Sequence, residues 1–181
     1  VPLLGWCKEN HVPYLVHEQN SVPGLANKMM ATAASKVCIS VPAARDVFER
    51  EGDPDHVVLT GNPVRRSVIE GDRARGRKAL DVPEGATLLL VFGGSLGAQH
   101  LNERVASLKN ELLSRENLYV LHSTGADGFE DAERALALTP EEARRYRVQP
   151  YIDNMGDMLA AADLVLSRSG ASSVAEIAAL A

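Results

Sequence analysis

LLLVFGGSLGA, residues Leu88–Ala98, is the stretch on which the fold turns. Four apolar residues and Phe92 run into Gly93-Gly94, then Gly97-Ala98, and a helical pattern follows. This order reads as a buried strand, a tight glycine turn and a helix start. Glycine lets the backbone come close to a ligand, and a helix N-terminus carries partial positive charge. A phosphate seated there is stabilised by both.

Units of the same kind lie on either side. Upstream, a helix end at Leu3–Asn10 precedes a short strand at Tyr14–Val16, which closes on His17-Glu18-Gln19-Asn20. A helix from Ser21–Gly24 to about Ala34 is expected, with Asn20 or Ser21 as its N-cap. A strand at Lys36–Ser40, a helix at Ala43–Arg50 and a strand at Val57–Thr60 complete this half. Downstream, the pattern predicts one helix over Ala98–Leu113 and a strand at Leu118–His122. Helices are expected at Glu130–Leu138 and Pro140–Tyr146, then an edge strand at Val148–Tyr151. A helix at Asn154–Ala162, a strand at Leu164–Leu166 and a final helix close the chain. Alternating strands and helices imply right-handed βαβ units and parallel sheets. The turn-rich strip Gly61–Arg66 interrupts the alternation, so we expect two domains, 1–62 and 63–181.

The 181 residues carry 19 basic and 24 acidic side chains, a net charge of −5. That argues against general nucleic-acid binding, which needs a basic face. No apolar run approaches the roughly 20 residues that span a bilayer. The start, VPLLGWCKENHVP, has neither the basic lead nor the cleavage site of a signal peptide. Cys7 and Cys38 form no CxxC pair and read as reduced core thiols. Residue 1 is Val, and SSVAEIAALA ends without a helix stop, so an internal piece of a longer chain is expected.

Each candidate site has a structural alternative. The glycine turn fails the dinucleotide spacing: Ser95 stands two residues after Gly93, and Leu96 two after Gly94. The following strand ends in His122-Ser123 and not in an acid for the ribose, which disfavours NAD(P). Another phosphate ligand, with Ser95 and backbone N–H donors, or a turn that only packs, are both open. SRSGASSVAE (167–176) is a second strand–turn–helix unit in which Arg168, Ser172, Ser173 and Glu176 are candidate contacts. Equally, Ser173 and Glu176 match a capping box. HEQN (17–20) gathers polar side chains at the carboxyl end of a strand, where a His beside a Glu can transfer protons. Arg65 is placed to close on an anion or to serve as a linker residue. His11, His56, His100 and His122 show no partner pattern and are read as structural or exposed.

In this order and spacing, HEQNSVPGLANK (17–28), GNPVR (61–65), GGSLGAQHLN (93–102), YIDNM (151–155) and SRSGASSVAEIA (167–178) resemble the MurG family. These are bacterial N-acetylglucosaminyltransferases that convert lipid I to lipid II in peptidoglycan assembly. The resemblance runs from about Val12 to Ala181. It implies an α/β fold of GT-B type, two Rossmann-like parallel-sheet domains facing a cleft, both incomplete here. The first is the acceptor and membrane side, and the second binds UDP-N-acetylglucosamine.

Position by position, the resemblance implies that Ser95, Gly94 and Gly97 contact the diphosphate and that Arg65 assists. The backbone of Ile152 reads the uracil edge. Arg168, Ala171, Ser172 and Ser173 hold phosphate and ribose, and Glu176 takes the ribose hydroxyls. Asn20 contacts the donor sugar, and Asn102 lies near the cleft. His17 and Glu18 are the catalytic candidates within the chain, the main base being expected outside it. The other implied partners are lipid I, the undecaprenyl-linked muramoylpentapeptide, and the anionic inner membrane surface. Leu3, Leu4, Trp6 and Lys28 are candidates for that membrane contact, or else core residues. No DxD-like carboxylate pair occurs, and neither a metal nor another cofactor is expected. The competing expectations are a different UDP-sugar transferase of GT-B type, such as a glycolipid synthase, and a non-catalytic nucleotide-binding fragment.

Overall fold

The computed structural model describes residues 2–50, 53–94 and 97–180. They form two compact units, Val1–Pro63 and Val64–Ala181.

In the first unit, β1 (Leu15–Glu18), β2 (Lys36–Ile39) and β3 (Val57–Leu59) make a parallel sheet in sequence order. Val16, Val37, Ile39 and Val57 are buried with Ala31, Ala44 and Phe48. The helices are α1 (Pro2–Glu9), α2 (Leu25–Ala31) and α3 (Arg45–Phe48), the last entered through a 3-10 turn at Pro42–Ala44. α2 starts later than expected. Its N-cap is Gly24, and Asn20 and Ser21 lie outside it. The reason is Glu18, whose carboxylate takes the N–H groups of Asn20 and Gly24 and so holds residues 19–24 as a loop.

The second unit has β4 (Thr87–Phe92), β5 (Leu118–Ser123), β6 (Tyr146–Gln149) and β7 (Leu164–Ser167). All are parallel, in the spatial order β6-β5-β4-β7. β4 alternates strictly. Leu88, Leu90 and Phe92 join Val68, Met158 and Leu159 on one side, and Val91 joins Val105, Leu136 and Tyr146 on the other. Both faces are therefore covered, which is why β4 reads as one continuous apolar run.

The helices are α4 (Arg66–Ile69), α5 (Arg73–Ala79), α6 (Gln99–Ser107), α7 (Lys109–Leu113), α8 (Phe129–Leu136), α9 (Met155–Ala161) and α10 (Ala171–Ala178). Four of these findings differ from the sequence pattern. The strip before residue 70 contains α4, a single turn too short for periodicity. The helix expected over Ala98–Leu113 breaks at Leu108 into α6 and α7. Pro140–Tyr146 gives only a 3-10 turn at Glu142–Arg144. Tyr146 is instead drawn into β6, where its ring is fully buried. β6 thus begins two residues early and ends before Pro150, on the sheet edge that proline allows. None of the described helices is long and apolar enough to cross a membrane.

α5 and α9 meet backbone to backbone. Arg75 chelates Asp157 at 2.7 and 2.6 Å, and Asp157 also accepts the Asp72 N–H at 2.9 Å. A Cβ on Gly76 would lie 2.2 Å from the Asp157 carbonyl oxygen. Gly76→Ala is therefore expected to cost about 2–3 kcal/mol through forced separation of the two helices. Urea unfolding measures this, and unchanged stability would contradict the close seam.

Candidate functional site

The second sheet changes direction at β4. β5 and β6 extend to one side, and the chain then returns to lay β7 on the other. In open α/β sheets, ligands bind beyond the carboxyl ends of two such strands. Phe92 and Ser167, the last residues of β4 and β7, are paired. Neighbouring strands lie about 4.8 Å apart, so the turns leaving them start side by side.

Each turn enters a helix with no side-chain cap, Ala98 preceding α6 and Gly170 preceding α10. The Asn102 N–H bonds the Ala98 carbonyl at 2.9 Å, and the Val174 N–H bonds the Gly170 carbonyl at 2.9 Å. The N–H groups of residues 99–101 and 171–173 precede these bonds and have no partner within their helices. Two positive helix ends thus lie at the same end of the sheet, an arrangement suited to an anion.

Gly94 and Gly97 have φ of +96° and +77°, a region that strains other residues. A Cβ on Gly93 would approach the Ala98 nitrogen to 2.5 Å. The glycines meet the demands of this turn and not those of a dinucleotide fingerprint. Ser95, the expected diphosphate contact, lies outside the described residues. Ser172 is exposed, Ala171 and Ser173 are half-buried, and all three form the first turn of α10. Arg168 is exposed between Ser167 and this turn, with no side-chain partner among the described residues.

With Gly170 as N-cap, Ser173 is the third residue of the helix, so the Ser173–Glu176 capping box does not form. Glu176 instead pairs with Arg65, whose Nε and Nη2 each lie 3.0 Å from the same carboxylate oxygen. This bond, aided by Tyr151, holds the guanidinium firmly charged. Two expected ligand contacts, 111 positions apart, are therefore in direct contact. Tyr151 is a further member that residue types alone did not single out. Next to it, the Ile152 side chain is buried in the core, which leaves its backbone for any recognition.

Asn102 is placed differently from its expectation. Its side chain is turned inward, Nδ2 donating to the Thr124 carbonyl at 2.9 Å and Oδ1 lying 3.1 Å from His122 Nε2. His122 Nδ1 lies 3.0 Å from the Tyr146 hydroxyl. His122 is thus a fully buried, doubly bonded residue. Burial lowers its pKa to about 4 and pushes the Tyr146 phenol above its usual range. The sequence signal was present: polar residues at 102, 122 and 146 on otherwise apolar core faces.

In the first unit, His17 Nε2 lies 3.1 Å from the Gly61 carbonyl, and the buried Nδ1 has no partner. A carbonyl only accepts, so Nε2 donates to it. Glu18 is 2% exposed. Burial opposes its charge, but bonds from the Asn20 and Gly24 N–H groups and the Asn27 and Asn20 amides outweigh it and lower its pKa. Both oxygens are committed, which makes Glu18 a brace for the loop and a poor proton acceptor. Asn20 is exposed at the loop tip.

A groove of about 770 Å³ lies along β6, lined by Ala137, Pro140, Arg144 and Val148 among others. It lies on the opposite edge of the sheet from β7.

The glycosyltransferase family 28 C-terminal domain matches residues 88–181. A protein of Acetivibrio thermocellus described as UDP-N-acetylglucosamine–N-acetylmuramyl-(pentapeptide) pyrophosphoryl-undecaprenol N-acetylglucosamine transferase is 36% identical over 179 residues, 99% of this chain and 47% of that protein. A Desulfotalea psychrophila protein of the same description is 39% identical, over 99% of this chain and 46% of its own length. The crystal structure of Acinetobacter baumannii MurG superposes with a TM-score of 0.62 at 27% identity, over 99% of this chain and 46% of that one. This chain spans about half the length of the curated relatives it matches. Its α/β architecture with parallel sheets is that of these GT-B glycosyltransferases. With the family 28 domain covering just over half of its residues, the chain belongs to glycosyltransferase family 28.

Proposed function

We propose that this chain carries the nucleotide-sugar site of an inverting N-acetylglucosaminyltransferase. The reaction moves N-acetylglucosamine from UDP-N-acetylglucosamine to the C4 hydroxyl of undecaprenyl-diphospho-muramoylpentapeptide, lipid I to lipid II in peptidoglycan synthesis. The carrying observation is the pair of uncapped helix starts at β4 and β7, with Glu176 and Arg65 beside them. The activity named for the Acetivibrio thermocellus and Desulfotalea psychrophila relatives supports the substrates.

In this reading the unit Val64–Ala181 is the UDP-sugar side. The Gly93–Ala98 turn, with Gly94, Ser95 and Gly97, holds one part of the diphosphate. Ala171, Ser172 and Ser173 hold the other, with Arg168 adding positive charge. As the bond from the anomeric carbon to the diphosphate breaks, negative charge grows on the leaving oxygen. Preorganised N–H donors stabilise it without reorganising. Glu176 accepts the ribose hydroxyls once it parts from Arg65, and the released guanidinium then grips phosphate with two parallel bonds. The Ile152 backbone meets the uracil.

The unit Val1–Pro63 is the acceptor side. The attacking hydroxyl gives up its proton, and within this chain His17 is the candidate to take it, which requires its ring to turn so that the buried Nδ1 faces the acceptor. Asn20 contacts sugar, its loop set by Glu18. Leu3 at 71% and Trp6 at 54% exposure, with Lys28 exposed, support peripheral contact with the anionic cytoplasmic face of the membrane.

Calorimetry with UDP and with uridine tests the nucleotide site. Glu176→Ala is expected to weaken both ligands by about tenfold or more, because the ribose loses a charged acceptor. Arg65→Ala should weaken UDP about tenfold yet leave uridine as tight or tighter, since Glu176 no longer has to be freed. Parallel losses for both ligands in Arg65→Ala would contradict the exchange, and no UDP binding by the folded protein would contradict the site.

Glu18 gives a second test. Its stabilising bonds are complete above the ordinary carboxyl value of 4.5 and are lost as the pH falls through the lower folded value. Glu18→Ala is expected to cost about 1–3 kcal/mol at pH 7, with the difference from the parent shrinking on acidification below that value. Unfolding curves at pH 7 and pH 3.5 measure it, and a pH-independent difference would contradict the brace.

A further inference from the structure

The buried chain of polar groups beneath the glycine turn has a fixed direction. The Thr124 carbonyl can only accept, so the amide nitrogen of Asn102 faces it and Oδ1 faces His122. That oxygen also only accepts, so His122 Nε2 carries its proton. A neutral imidazole has one N–H, which makes Nδ1 an acceptor and the Tyr146 hydroxyl its donor. The bonds run Tyr146 to His122 to Asn102 to Thr124, and each of the four residues is almost wholly buried.

The chain ends where the turn rests. A Cβ on Gly97 would lie 2.0 Å from the Thr124 oxygen and 3.2 Å from the Gly125 Cα. Gly97 is therefore seated on the very carbonyl that Asn102 holds. Asn102 also closes the first turn of α6 through its own N–H to Ala98. Thr124 is fixed from the far side as well, its N–H bonding the Gln149 carbonyl at 3.1 Å. The turn, the start of α6 and the ends of β5 and β6 thus share one hydrogen-bonded anchor.

We propose that His122 is a positioning residue for phosphate binding: with Tyr146 and Asn102 it fixes the carbonyl on which Gly97 sits, and so aims the N–H groups at the start of α6. The inference rests on the nucleotide reading above and adds a residue that never touches the ligand. Its specific consequence is a separation between the two halves of the nucleotide. The diphosphate lies on this turn, whereas the nucleoside is held by Glu176 and the Tyr151–Ile152 segment on other elements.

The test compares the parent protein with His122→Phe, which keeps a ring and loses both bonds, and with Tyr146→Phe, which removes one hydroxyl. Three readouts are taken: UDP and uridine affinity by calorimetry, backbone amide shifts and exchange of Gly97–Gln99 without ligand, and the ring nitrogen signals of His122. The parent should show a protonated Nε2 and an unprotonated Nδ1. His122→Phe should weaken UDP about tenfold or more while uridine stays within about twofold, with altered Gly97–Gln99 amides. Tyr146→Phe, the milder variant, should shift the His122 Nδ1 signal and give the same pattern at smaller size. Unchanged Gly97–Gln99 amides in both variants, or equal losses for UDP and uridine, would overturn the positioning role. A parent that binds neither ligand would overturn the nucleotide reading and with it the phosphate part of this inference, while the amide readout would still report on the anchor itself.

Discussion

The pairing of β7 against β4 is the constraint on which the site depends. It sets Phe92 beside Ser167, and with them the two turns that open α6 and α10. An uncapped helix end forfeits about 1 kcal/mol that Ser, Thr or Asp at the N-cap would supply. Here two such ends stand next to each other at the one place in the sheet where the connections diverge. Their N–H groups would repel each other's partial charge in isolation, a cost that a bound anion would relieve. Stability is given up where a ligand can restore it.

The remaining structure holds these turns still. Leu88, Leu90 and Phe92 anchor β4 against α9 on one face, and Val91 anchors it against α6 on the other. The seam of Gly76 and Asp157 fixes α9 at van der Waals contact. Beneath the turn, polar groups take over from apolar packing. A His122 of pKa about 4 stays neutral through the physiological range, so its two bonds keep one direction. In the first unit, Glu18 ties the HEQN loop to the strand that precedes it, whereas Asn102 ties the start of α6 to the end of the neighbouring β5.

Much of this was legible in the sequence. The glycine turn, the parallel strands and the family motifs are local patterns, and they led to the fold class and to Arg65 and Glu176 as candidates. Their mutual ion pair was not legible, because 111 positions separate them and only the packing of α10 on the segment before α4 joins them. The capping box at Ser173 was a fair local reading that failed because the helix begins three residues earlier than that motif needs, with Gly170 as its N-cap. Asn102 was expected near the ligand because its motif position suggested so, but its side chain turns to the core. Tyr146 misled the helix assignment for the same reason: its hydroxyl serves His122, and burying that ring outweighs the helical pattern around it.

The central claim is that a nucleoside diphosphate binds across the carboxyl ends of β4 and β7. Amide chemical-shift mapping of the protein during a UDP titration tests it most directly. The account predicts coincident, saturable shifts in two groups, Gly93–Gln99 and Gly170–Ser173, with Glu176 and Ile152 following. Shifts confined to one turn, or centred on the groove along β6, would contradict it.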